Sequence, residues 1–211
     1  MSTVHIPAGL AELDGELILP PSAKGIVLFA HGSGSSRFSP RNTYVAEVLQ
    51  QRGIGTLLFD LLTREEDQIY ETRFDIALLT TRLVDATEWL QSNQDTKDLS
   101  IGYFGASTGA AAALQAAARM ENKISAVVSR GGRPDLAGAV ALRRVTAPTL
   151  LIVGGLDTTV IEMNEEAAGC LQVEHKMEIV PGATHLFEEP GKLEEVGRLA
   201  REWFLAHLGG R

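Results

Sequence analysis

The chain has one cysteine, Cys170, so it cannot form an internal disulfide, and a reducing compartment fits that scarcity. No apolar stretch reaches the length of about 20 residues that a transmembrane helix needs. Residues Met1 to Pro7 lack a charged segment followed by an apolar one, so no signal peptide is expected and a cytoplasmic location is. There is also no basic run. With 19 Lys and Arg against 27 Asp and Glu, the net charge is −8, the wrong sign for binding nucleic acid or an anionic membrane. No repeat, low-complexity tract or linker interrupts the 211 residues. That length, at 45% hydrophobic and 22% charged, predicts one globular domain, 1–211, with a real core.

What is present alternates between strand and helix, which predicts an α/β fold: a mainly parallel, doubly wound sheet with helices on both faces. Segments 3–6 and 16–19 read as an antiparallel start. Strands are expected at 25–30, 55–60, 99–104, 124–129, 148–153 and 176–180. Helices are expected at 43–52, 74–91, 110–119, 135–144, 161–170 and 193–208, several with apolar residues at helical spacing. The polar stretch 61–73 reads as a loop or pocket rim.

Gly105-Ala106-Ser107-Thr108-Gly109 lies between an apolar strand and an alanine-rich helix. A sharp strand-to-helix turn there would lift the Ser107 hydroxyl above the sheet, with glycines where side chains would collide. A serine needs a base, and the base needs an orienting acid, both beyond the carboxyl ends of later strands. Only Asp135 and Asp157 follow Ser107 among the aspartates. Asp135 suits a helix start; Asp157 follows strand 148–153, and Glu162, the nearest glutamate, falls inside a helix. Among the later histidines, His175 precedes the last strand and His207 lies in the closing helix, whereas His185 follows the last strand. The order is therefore Ser107, Asp157, His185. The Thr108 N–H is the expected first oxyanion donor and the Ser33 N–H, in the loop after strand 25–30, the second. His31 in that loop reads as a hydrogen-bonded structural residue.

These motifs, with His31-Gly32-Ser33-Gly34, Gly155-Leu156-Asp157 and Pro181-Gly182-Ala183-Thr184-His185, resemble the α/β-hydrolase superfamily over nearly the whole chain. The compact size resembles its dienelactone-hydrolase-like branch. Dienelactone hydrolases proper use cysteine as nucleophile, and haloalkane dehalogenases use aspartate. Ser107 at that position points to a serine esterase, and Cys170 is in the wrong element to substitute. The resemblance implies hydrolysis of small carboxylic esters or lactones through an acyl-enzyme, with no metal or organic cofactor. The stretch from Arg130 to Pro148 is too short for a large lid. Arg130 and Arg37 are candidates for binding a substrate carboxylate, with Arg130 and Arg133 alternatively pairing with surface acids. A ligand-binding receptor on the same fold, and a perhydrolase or acyltransferase, stay open as other uses of the same residues.

Overall fold

In the computed structural model, which describes residues 2–209, the chain builds one eight-stranded sheet. It opens with a hairpin, β1 (Ser2–Ala8) against β2 (Ala11–Ile18), as the antiparallel start predicts. Then come β3 (Gly25–Ala30), α1 (Pro40–Gln50) and β4 (Gly55–Phe59), followed by the one-turn α2 (Arg64–Asp67) and α3 (Ile76–Ser92). The central unit is β5 (Ser100–Ala106) and α4 (Thr108–Met120). After it run β6 (Ile124–Arg130), α5 (Ala139–Arg144), β7 (Thr149–Gly154), α6 (Thr158–Ala168), β8 (His175–Val180) and α7 (Lys192–His207). The order across the sheet is β1-β2-β4-β3-β5-β6-β7-β8, with β3 to β8 mutually parallel and β2 antiparallel to β4.

The inner strands are buried on both faces, so they read as continuous apolar runs. Along β3, Ile26, Leu28 and Ala30 join one core with α3 and α4. Val27 and Phe29 join the other core with α1 and α7. Helix α4 is almost wholly buried between the sheet and α3, and its alanines allow that close approach. Edge strand β8 carries exposed His175 and Lys176, charge of the kind that blunts edge pairing.

Two expectations are corrected. The loop 61–73 contains α2, started by a capping box in which Thr63 Oγ1 accepts from the Glu66 N–H and Glu66 accepts from the Thr63 N–H. The single helix 135–144 is broken at Gly138 (φ +80°) into a 3₁₀ turn, Pro134–Ala137, and α5. The β6–β7 connection holds nothing more, so no lid domain stands there. Among the described residues, no helix is long and apolar enough to cross a membrane.

Candidate active site

Ser107 closes β5 and begins α4 with φ +51° and ψ −121°, a conformation that strongly favours glycine. The turn is forced by what surrounds it. A methyl on Gly105 would come 2.7 Å from Gly109 O and collide with the backbone of Ala110; one on Gly109 would lie 2.5 Å from His31 O and collide with Ala30 O. The chain can turn this tightly only with hydrogens at both places. The Ser107 backbone is held at both ends: its N–H donates to Arg130 O (3.3 Å), and its carbonyl accepts from the Arg133 N–H (3.1 Å). Its side chain is partly exposed, and Gly32 lies beside it, where a methyl would be 3.1 Å from Ser107 Cβ.

The other two expected residues meet. His185 Nδ1 lies 2.6 Å from Asp157 Oδ2, one carried past β8 and the other past β7, in the first residue before α6. A bond this short to a carboxylate fixes the proton on Nδ1 and leaves Nε2 as the acceptor, the tautomer a general base needs. Asp157 is mostly buried, whereas the ring is 39% exposed and so reachable from solvent. Among the described residues, no hydrogen bond joins Ser107 Oγ to His185; the seryl–imidazole bond of such sites often tightens only when substrate is bound. Phe187, two residues past His185, is buried at φ +56°, so the loop that presents His185 is strained as well.

The oxyanion side differs in one detail from expectation. The Thr108 N–H opens a helix and has no partner among the described residues. The Ser33 N–H donates to Thr108 Oγ1 at 2.9 Å, so the second donor is engaged by the side chain of the first. His31 is buried. Its Nε2 accepts from the Leu61 N–H (3.1 Å) and its Nδ1 donates to Gly32 O (3.0 Å). Both ring nitrogens are thus committed in the neutral state, and burial lowers its pKa.

The arginines are not placed as free carboxylate receptors. Arg37 pairs with Asp60 and, at 3.6 Å, with Asp14, and its guanidinium lies over Phe38. Arg130 is the last residue of β6 rather than part of the loop after it. It faces α1, 6% exposed, with Nη2 3.4 Å from Asn42 Oδ1 and its guanidinium 6.0 Å from the Phe187 ring centre. Burial, with Arg41 adding repulsion, pushes its pKa down to about 10, so it is still cationic at neutral pH. Arg133 forms a two-pronged bond with Asp135, at 2.9 and 2.8 Å.

A cavity of about 150 Å³ opens beside the loop after β3, lined by His31, Ser35, Ser36, Leu62, Thr63 and Arg64 among others. Sequence reasoning left residues 61–73 undecided; their capping box marks where this wall is built. A larger hollow, about 490 Å³, lies at the amino ends of β3, β5 and β6 beside Lys24, Lys97 and Lys123, at the opposite end of the strands from this chemistry. Among the described residues, no cluster of three or more His, Cys, Asp or Glu could hold a metal ion.

The dienelactone hydrolase family model matches residues 13–203. A crystal structure of a dienelactone hydrolase from Anabaena variabilis ATCC 29413 is 59% identical, over 98% of this chain and 97% of that one, with a TM-score of 0.96. Est1E from Butyrivibrio proteoclasticus, 17% identical over 98% of each chain with a TM-score of 0.83, shares the fold. A curated relative from Mycobacterium tuberculosis (strain ATCC 25618 / H37Rv), provisionally named a phosphoribosyl transferase, is 57% identical over 207 residues. That alignment takes in 98% of this chain but 46% of the relative, so the chain spans about half the relative's length. The chain has the α/β-hydrolase fold, and it belongs to the dienelactone hydrolase family.

Proposed function

We propose that the protein is a serine hydrolase that cleaves small carboxylic esters or lactones through an acyl-enzyme on Ser107. The observation that carries this reading is the strained Ser107 at a strand-to-helix turn, in a fold that also pairs His185 with Asp157 at 2.6 Å. In the proposed reaction, Ser107 Oγ attacks the carbonyl carbon as its proton passes to His185 Nε2. Asp157 holds the ring and stabilises the imidazolium. The Thr108 and Ser33 N–H groups bind the oxyanion, the latter turning from Thr108 Oγ1 or sharing with it. The imidazolium protonates the leaving alkoxide; water, deprotonated by His185, then releases the acid.

The short β6–β7 connection, which carries no large lid over the site, supports small soluble substrates. Exposed Phe38, Tyr70, Leu136, Leu156 and Leu186 all lie in segments that follow the carboxyl ends of strands, which suits an apolar or aromatic group on the ester. The test is a series of p-nitrophenyl esters graded by chain length, with lactones beside them, run on wild type and Ser107→Ala. Turnover should fall by at least about 10³-fold in the variant, with circular dichroism unchanged. Undiminished turnover would sink the mechanism, and labelling of wild type by a phosphonate without any turnover would favour a receptor.

The name of the half-matched relatives gives a second reading, in which a hydrolase unit accompanies a phosphoribosyl-transferring one. Assayed alone with a phosphoribosyl donor and nucleobase acceptors, this chain should release no pyrophosphate; release would reverse the assignment.

A further inference from the structure

Asn164, in the second turn of α6, has no exposed surface. Its Nδ2 donates to Gly132 O at 3.0 Å and to Val160 O at 2.8 Å, while its Oδ1 has no partner among the described residues. The bond to Gly132 O satisfies a buried carbonyl, and the unfilled Oδ1 is a cost set against it.

Its partner outside α6, Gly132, belongs to the segment that grips the nucleophile. Arg130 O accepts from the Ser107 N–H, and the Arg133 N–H donates to Ser107 O. Within the same segment Gly131, at φ +49°, packs against the base: a methyl there would lie 3.0 Å from His185 O and 3.5 Å from His185 Cε1. Gly132 itself is seated so closely that a methyl would come 2.6 Å from Ala110 Cβ and collide with Ser129 Oγ. The helix that carries Asn164 starts directly after Asp157. One amide therefore links the helix that begins at the acid to the segment that holds the serine and touches the histidine.

We propose that Asn164 is a positioning residue, fixing segment 130–133 so that Ser107 and His185 stay in register with Asp157. This rests on the serine-hydrolase reading above. Three measurements on Asn164→Leu and Asn164→Ala test it: the second-order rate of Ser107 labelling by a fluorophosphonate, kcat and KM for p-nitrophenyl acetate, and the thermal midpoint. Labelling and kcat should both fall by about tenfold or more, since small misplacements of reacting groups are costly. KM should stay within about twofold, and the loss of rate should exceed what any lowered midpoint explains, since both variants also leave the buried Gly132 carbonyl without its donor. Asn164→Asp adds a pH readout. A protonated acid can donate to Gly132 O and an ionised one repels it, so its kcat relative to wild type should rise as pH falls. Labelling and kcat at wild-type levels in a folded Leu or Ala variant would overturn the inference, as would a loss confined to KM or one that only follows a lowered melting point. An unlabelled wild type would overturn the serine reading and this inference together; equal labelling of wild type and variants would overturn this inference alone.

Discussion

The backbone of Ser107 has been bent into a shape that its side chain disfavours. Such strain costs about 1–3 kcal/mol and is kept only where surrounding structure imposes it. Ser107→Gly should therefore be inactive yet more stable, its midpoint raised by about 2–4 °C for each kcal/mol relieved. A calorimetric scan showing no rise would mean the turn is not strained. Thr108 offers a second test at this scale, because its hydroxyl accepts from the Ser33 N–H. Thr108→Val should lower kcat by about tenfold or more through a misplaced oxyanion donor, with little change in KM, while Thr108→Ser should keep most of it. Equal rates in Val and wild type would show that Ser33 needs no such anchor. The three catalytic candidates were readable because their types are few and their positions relative to strand ends could be eliminated one by one. The Thr108–Ser33 contact was not, since it joins residues 75 positions apart in the chain.

The elbow formed by β5 and α4 tolerates little addition. Gly109→Ala would drive a methyl into Ala30 O, across from β3, and should cost about 3 kcal/mol or more as overpacking against backbone. Urea unfolding would read it, and a loss under about 1 kcal/mol would mean that α4 can slide. This element announced itself because strand, paired glycines and alanine helix each carry a local signal. Helix α2 did not: four polar residues have no apolar period, and only the Thr63–Glu66 capping box gives it away. Arg130 shows how a single boundary residue decides an assignment. Read as the first loop residue it pointed to substrate; as the last residue of β6 its side chain falls on the α1 face and is buried. Replacing a buried charge that lacks a carboxylate partner with an apolar side chain is often neutral or stabilising. Arg130→Met should accordingly melt at or above the wild-type temperature, and a lower midpoint would show that Asn42 and Phe187 compensate the cation well.

For the molecule as a whole, the alternation of strand and helix was enough to predict a parallel sheet covered on both faces. The strand order was beyond reach, because the placement of β3 between β4 and β5 depends on contacts distant in sequence. Global stability should also carry a signature of His31. The folded protein holds it neutral, with its pKa lowered mainly by burial, whereas in the unfolded chain it titrates near about 6.5. Above that pH neither state binds the proton. As pH falls below it, the unfolded chain takes up the proton first, so stability is lost progressively until the folded pKa is passed. The melting temperature should thus decline from about pH 7 to pH 5, and the decline should be shallower in His31→Asn. An equal slope in both proteins would assign the acid sensitivity to other groups.

The short connection between β6 and β7 leaves Ser107 with no lid domain over it there. An acyl group formed on it would be open to water on that side, and water outnumbers every rival acceptor. The fate of the intermediate then becomes a matter of competition rather than of selection, and hydrolysis wins unless another acceptor has a pocket of its own. Adding methanol or hydrogen peroxide should divert product only in proportion to concentration, without saturating. A saturable diversion would reveal a built acceptor site and turn the protein from a hydrolase by default into a transferase by design.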